Sequence, residues 1–254
     1  MRTLTRSTAA AVTAASLALL VTACGSGDES DGKDTGKDAR PSASATSGAP
    51  AAKALSSAEL EKLIVEQADL PGHQVQKAKA TDLVKPDTLS TDKPSCKPLA
   101  DAMSFVATGD PAASAHRKAI EVPKTEGATA SPQDALGALS APVTSVTLGS
   151  YDGQGAQEAF AALKTAGTDC AGGFTLNGGG EKTKISKVAP ETVSAGEESL
   201  AWTVTTDMDG EPFVTKLVVF RKGNTLASFS TLSLGGTAKD LPKAVIDAQA
   251  AKLG

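Results

Sequence analysis

Residues 199–233 read SLAWTVTTDMDGEPFVTKLVVFRKGNTLASFSTLS. Three runs rich in β-branched and aromatic residues, 199–206, 213–221 and 225–233, are separated by Asp209-Gly210 and by Lys222-Gly223-Asn224. Such turn residues tolerate the left-handed backbone that tight hairpins need, so the stretch predicts three consecutive antiparallel strands. Alternation assigns Trp202, Val204, Leu217, Val219 and Phe229 to the face turned toward the helices. A register slip of one residue would exchange the two faces.

Outward from that stretch, 182–188 reads as another strand, and 172–182, with five Gly, as a turn between strands. Residues 143–151 predict a strand with Val146 and Leu148 on one side. A helix over about 154–166 aligns Ala156, Phe160 and Leu163, and Cys170 lies just past its end. At the C-terminus, 240–253 predicts a closing helix with Leu241, Val245, Ala248 and Leu253 roughly in line. Upstream, Ser56 with Glu59 three residues on makes a capping-box start for a helix that carries Leu60, Leu63, Ile64 and Ala68. Leu70-Pro71-Gly72 stops it. A weak strand over 75–80, a loop over 81–95, a short helix over 99–106 and a long mobile loop over 121–142 complete the pass. Hairpin-linked strands flanked by helices predict an α+β domain, a mainly antiparallel sheet with helices packed on one face.

Composition excludes several functions. The chain has 254 residues and a formal charge of −4, with 40% apolar but only 3% aromatic residues. Without a positive excess or aromatics to stack on bases, nucleic acid is not an expected partner. Only one long apolar run exists, which excludes a multi-span membrane protein. Two His and three Cys are too few for a His-rich metal enzyme or a disulfide-dense mini-protein.

The apolar run lies at the start. Arg2 and Arg6 precede an uncharged Ala-, Leu- and Val-rich stretch from Ala9 to Ala23, the anatomy of a signal peptide. It ends Leu20-Val21-Thr22-Ala23-Cys24, which resembles the lipobox of bacterial lipoprotein precursors. That resemblance implies cleavage between Ala23 and Cys24 and a diacylglycerol on the Cys24 thiol, which holds the chain to the membrane. One acyl chain anchors marginally and two anchor stably, at ~0.8 kcal/mol per buried CH₂. From Gly25 to about Ala54 the chain lacks Val, Ile, Leu, Met and aromatic residues, and it cannot bury enough apolar surface to offset its ordering entropy. Roughly thirty residues of this kind reach about 30 Å. The expected organisation is a signal peptide over 1–23, a lipidated disordered tether over 24–54 and an α+β domain over 55–254. The last of these carries a charge of −5, with 24 acidic against 19 basic residues.

With Cys24 acylated, Cys96 and Cys170 remain. An even pair in an exported domain usually oxidises, so a structural disulfide is expected. A reactive or metal-binding thiol pair lacks support, because neither a Cys-x-x-Cys spacing nor a nearby His accompanies it.

No catalytic set assembles from the sequence. There is no Gly-x-Ser-x-Gly elbow. His116, two residues after Ser114, reads as an exposed loop residue, and His73 as a turn residue after Pro71-Gly72. Ser90-Thr91-Asp92-Lys93 has the Ser-x-x-Lys spacing without its companion motifs. Gly178-Gly179-Gly180 lacks the Lys-Ser/Thr that would make it a phosphate cradle. Asp207, Asp209 and Glu211 lack the distal bidentate Glu of a Ca²⁺ loop, and Glu197-Glu198 reads as a solvated pair. The expectation is no catalytic residue, no metal and no cofactor.

Several runs in order carry a further resemblance. They are Asp69-Leu70-Pro71-Gly72, Cys96 before Pro98-Leu99, Ser150-Tyr151, Cys170 with Gly172-Gly173-Phe174, Gly196-Glu197-Glu198 before Trp202, and VVFRKGNTLASF over 218–229. Together they resemble actinobacterial cell-surface lipoproteins whose globular part is similar to the extracellular sensor domain of PknH-type Ser/Thr kinases. The resemblance covers about 55–254 and implies a ligand-binding or sensing domain without catalysis. The chain departs from the kinases in having no kinase domain, no transmembrane helix and one candidate disulfide where the kinase sensor carries two. The expectation is a lipid-anchored extracytoplasmic module that binds an unknown small ligand or a cell-envelope component. The rivals are a lipid or glycolipid carrier, which predicts a wide apolar cavity, and a cell-wall hydrolase.

Overall fold

The computed structural model describes residues 53–122, 140–233 and 237–254. The expected signal segment, Ala23, Cys24, nearly all of the tether and residues 123–139 of the expected mobile loop lie outside the described residues.

Among the described residues nine strands form one sheet: β1 His73–Lys77, β2 Ser90–Thr91, β3 Ala113–Glu121, β4 Pro142–Ser150, β5 Phe174–Gly178, β6 Glu181–Glu191, β7 Glu198–Met208, β8 Glu211–Lys222 and β9 Thr225–Ser233. Their order is β1-β3-β4-β9-β8-β7-β6-β5-β2, and neighbours run antiparallel. Among the described residues four α-helices accompany them: α1 Ser57–Leu63, α2 Lys97–Met103, α3 Gly155–Asp169 and α4 Lys243–Leu253. Among the described residues no helix is long and apolar enough to cross a membrane.

The turns and caps follow from local chemistry. Asp209 and Gly210 have φ of 56° and 92°, the paired left-handed conformation of a two-residue hairpin turn. The Ser56 hydroxyl accepts the Glu59 N–H while the Glu59 carboxylate accepts the Ser56 N–H, so two N-terminal donors of α1 are satisfied.

The α+β class with an antiparallel sheet is what the structure shows, but the helical cover is two-sided. Trp202, Val204, Leu217 and Val219 pack with α2 and α3. Ala201, Val218, Phe220 and Phe229 pack with α1 and α4 on the other face. Phe229 therefore lies opposite the side expected for it, stacked on Phe220 with ring centroids 5.6 Å apart. The physical reason is the run Leu217-Val218-Val219-Phe220, in which all four side chains are fully buried. A strand covered on both faces reads as a continuous apolar run rather than an alternation.

Three strands were not expected, the first being the two-residue β2 within the expected loop over 81–95. β3 takes up the segment around His116, and β5 takes up the Gly-rich segment, leaving only Gly179-Gly180 for the turn. The Cys96–Cys170 disulfide is present, with a Cα–Cα distance of 5.9 Å and both residues fully buried. It ties the start of α2 to the end of α3 across 74 residues, a closure that contributes about 4 kcal/mol on the chain-entropy account.

Candidate functional site

A polar groove opens where one end of the sheet meets the segment leading into α4. The cross-strand pairs His73–Glu121, Thr144–Thr231 and Pro142–Ser233 supply its floor. After β9 the chain returns to the sheet at Thr237, which bridges Val214 of β8, and the Ala238 N–H donates to the Val214 carbonyl at 3.1 Å. Residues 238–244 then form the far wall and turn at Pro242 into α4. The cavity measures about 380 Å³.

Its polar floor is built from hydroxyls. The Thr144 and Thr231 hydroxyls bond each other at 2.9 Å, and each keeps capacity for one more partner. Ser233 and Thr237 add two more hydroxyls, and the Ser233 hydroxyl donates to the Ser140 carbonyl at 2.7 Å. Charges of both signs ring the mouth: Glu121 and Asp240, Lys239 and Lys243, the last paired with Asp247 at 2.8 Å. Pro142, Leu241 and Pro242 add apolar surface beside these groups, so the lining can hydrogen-bond a small polar molecule from several sides while packing against its carbon frame.

The described chain begins at the opposite end of the sheet. The Ala54 N–H donates to Asp152 and the Leu55 N–H to the Ser150 hydroxyl, both at 2.9 Å. The Asn224 amide donates to the Lys53 carbonyl at 2.6 Å. Ser150 ends β4 and Asn224 precedes β9, whereas Pro142 and Ser233 sit at their other ends beside the groove. Nine strand residues separate the two ends, roughly 30 Å.

The residues weighed in the sequence fall into place elsewhere. His73 is the first residue of β1 and lines the groove rather than an isolated turn. His116 is a strand residue, half-buried on the opposite face of the sheet. Its Nε2 lies 3.1 Å from the Ser114 hydroxyl, a neighbour that the period-2 geometry of β3 brings to the same side. Its Nδ1 faces the Thr147 hydroxyl at 3.4 Å, and Phe105 meets the ring edge-on at 5.0 Å. Burial pushes the imidazole below its ordinary pKa, partly opposed by the carboxylate of Glu61. A hydroxyl stands where a nucleophile–base pair would want a carboxylate to support an imidazolium. This is packing geometry for a neutral ring.

Glu197 and Glu198 are exposed, as expected of a solvated pair, and both also bind Arg221, at 2.7 and 2.8 Å. The Asp207 carboxylate accepts the Gly210 N–H in its hairpin turn. Ser90 and Lys93 lie at the β2 edge, where the Lys93 ammonium donates to the Gly173 carbonyl. Among the described residues no group of three or more His, Cys, Asp or Glu side chains is placed to hold a metal. The groove itself was not found in the sequence, because its parts come from five separate segments and hydroxyl residues carry no motif.

No family model and no curated protein matches this sequence. Among solved structures the chain is similar to the extracellular domain of PknH from Mycobacterium tuberculosis, at 11% identity and a TM-score of 0.45, over 79% of this chain and 97% of that one. At that distance a common outline says nothing about a ligand or an activity.

Proposed function

We propose that this chain is a lipid-anchored, extracytoplasmic binding module without catalysis, and that the groove between the sheet end and residues 237–244 takes a small polar ligand. The observation that carries the ligand site is its position and lining. Paired hydroxyls from β4 and β9 form its floor, and it opens at the end of the sheet farthest from where the chain enters the domain. The Cys96–Cys170 bond supports an oxidising compartment. The run ending at Ala23-Cys24 supports acylation at Cys24. The charged mouth and hydroxyl floor support a polar ligand over the lipid of the carrier reading.

The test is native mass spectrometry of the chain extracted from its own membrane in neutral detergent. A polar small-molecule adduct is expected on the wild type and absent from Thr237→Trp, which fills the groove from an exposed position. An adduct of lipid mass, or one that Thr237→Trp leaves in place, overturns the assignment. Separately, Cys24→Ala is expected to move the protein from the membrane to the soluble fraction, and unchanged fractionation refutes the anchor.

A further inference from the structure

The exposed half of the sheet on the β5–β6–β7 side carries a second feature that stands apart from the groove. Lys182 and Lys184 sit opposite Asn177 and Thr175 of β5, on the face turned away from Ile185 and Phe174, which are buried. In a regular strand Lys187, three residues beyond Lys184, would point to the other face. It does not. Between Ile185 and Lys187 the register with β7 shifts, so that Ile185 opposes Thr206 and Lys187 opposes Thr205. That bulge keeps Ile185 and Val188 both in the core and returns Lys187 to the face of Lys182 and Lys184. The bulge is seated against Gly173, where a Cβ would lie 2.2 Å from the Ile185 carbonyl oxygen.

All three lysines are exposed, Lys184 with 69% of its side chain free. Their neighbours are hydroxyls and an amide: Thr175, Asn177 and Thr205. Asp207 partners Lys184 at 3.5 Å, and Asp92 at the β2–β5 edge receives the Thr175 N–H. Lys93, the next residue, donates to the Gly173 carbonyl, and after the Thr175 N–H bond its charge helps hold the Asp92 carboxyl below its ordinary pKa. The face is thus locally cationic on a domain whose total charge is −5. Residues two apart on a strand stand about 7 Å from each other, so the ammonium groups form a row rather than a cluster. Lysine is a compact point charge suited to phosphate. The face has no aromatic ring on which a base would stack. It also lies toward the sheet end away from the chain's entry at Leu55.

We propose that this row of Lys182, Lys184 and Lys187 docks an extended phosphate-bearing polymer of the cell envelope. The row would hold successive phosphates as point charges, with Asn177 and Thr205 donating hydrogen bonds between them. Binding by three such charges releases condensed counterions, so log K falls against log salt with a slope of about −2.

The test uses the chain from residue 24 onward with Cys24→Ser, titrated calorimetrically with inorganic polyphosphate over rising NaCl. Binding with that slope is expected, together with a loss of about tenfold or more in Lys182→Gln/Lys184→Gln/Lys187→Gln. The exposed positions leave folding intact, checked by the retained near-ultraviolet signal of Trp202. Lys239→Gln/Lys243→Gln at the groove is expected to bind as the wild type does. Undetectable polyphosphate binding, or equal binding by the triple variant, overturns the proposal. So does loss of binding in the groove variant alone, or capture by phosphatidylglycerol vesicles in place of polyphosphate.

Discussion

The side-chain amide of Gln249 closes the end of α1. Its oxygen accepts the Val65 N–H at 3.0 Å and its nitrogen donates to the Leu63 carbonyl at 2.8 Å, 186 residues away in sequence. Gln249 is fully buried, so α4 is docked on α1 through a polar contact inside an apolar layer. Gln249→Leu keeps the volume and leaves two backbone groups without partners, at a cost of about 2–4 kcal/mol by analogy with buried unsatisfied pairs. The urea midpoint is expected to fall accordingly. A midpoint within error of the wild type would show that water reaches both groups.

Gly167 lets α3 approach the sheet. A Cβ there would sit 2.5 Å from the Trp202 Nε1 and 2.8 Å from two further indole atoms. Gly167→Ala improves helix propensity by about 1 kcal/mol, but it must displace the indole or lift the helix, which costs about 1–3 kcal/mol. Lower thermal stability with a red-shifted Trp202 emission is expected. Unchanged emission would mean that the helix, not the indole, yields.

Gln67 guards the free edge of β1. Its amide nitrogen donates to the His73 carbonyl at 2.7 Å and its oxygen accepts the Val75 N–H at 3.0 Å, occupying the sites a tenth strand would use. The groups are solvent-accessible, so Gln67→Ala costs only about 0.5–1.5 kcal/mol. Its larger effect is expected on association, because an open edge pairs with other chains. Concentration-dependent dimer or aggregate on size exclusion is the expected outcome, and a strictly monomeric variant argues against an edge-blocking role.

Legibility followed how directly each residue's side chain reports its surroundings. The hairpins of 199–233 were readable because their turns need left-handed backbone, which Asp209-Gly210 announces. β3 was not, since its inward row is Ala115, Arg117 and Ala119, and a buried arginine breaks the expected alternation. Arg117 is tolerated there only because Glu61 of α1 meets it at 2.9 Å, a partner no local window reveals. β5 hid behind five glycines, although Phe174 and Leu176 alternate within it. The second helical layer was implied by the unbroken apolar run of β8 but read as a single face. The disulfide was legible by counting thiols. The groove was not, because Thr144 and Thr231 become neighbours only through strand pairing.

As pH falls from neutral, acid is expected to weaken the fold first through His116. Burial beside Phe105 favours its neutral form, and the Glu61 carboxylate offsets this only in part, so its folded pKa lies below the ordinary value of 6.5. The groups around it are the Ser114 and Thr147 hydroxyls, and Arg117, whose guanidinium donates to the His116 carbonyl and to Glu61. When the folded state binds its proton less readily than the unfolded chain, stability rises with pH. The contribution is therefore complete above pH 6.5 and is lost as pH falls toward the folded value. Carboxylates with depressed values, among them Glu61, Asp69 and Glu191, titrate below their ordinary 3.8–4.5 and act at lower pH than this window. Asp101 works in the opposite sense, since its burial penalises ionisation as pH rises above 3.8. Urea midpoints measured from pH 7.5 to 5.5 are expected to fall in the wild type and to flatten in His116→Asn, with Asp101→Asn retaining the wild-type slope over the same range. A slope that survives His116→Asn would assign the titration to another group and leave the neutral ring without a role in acid sensitivity.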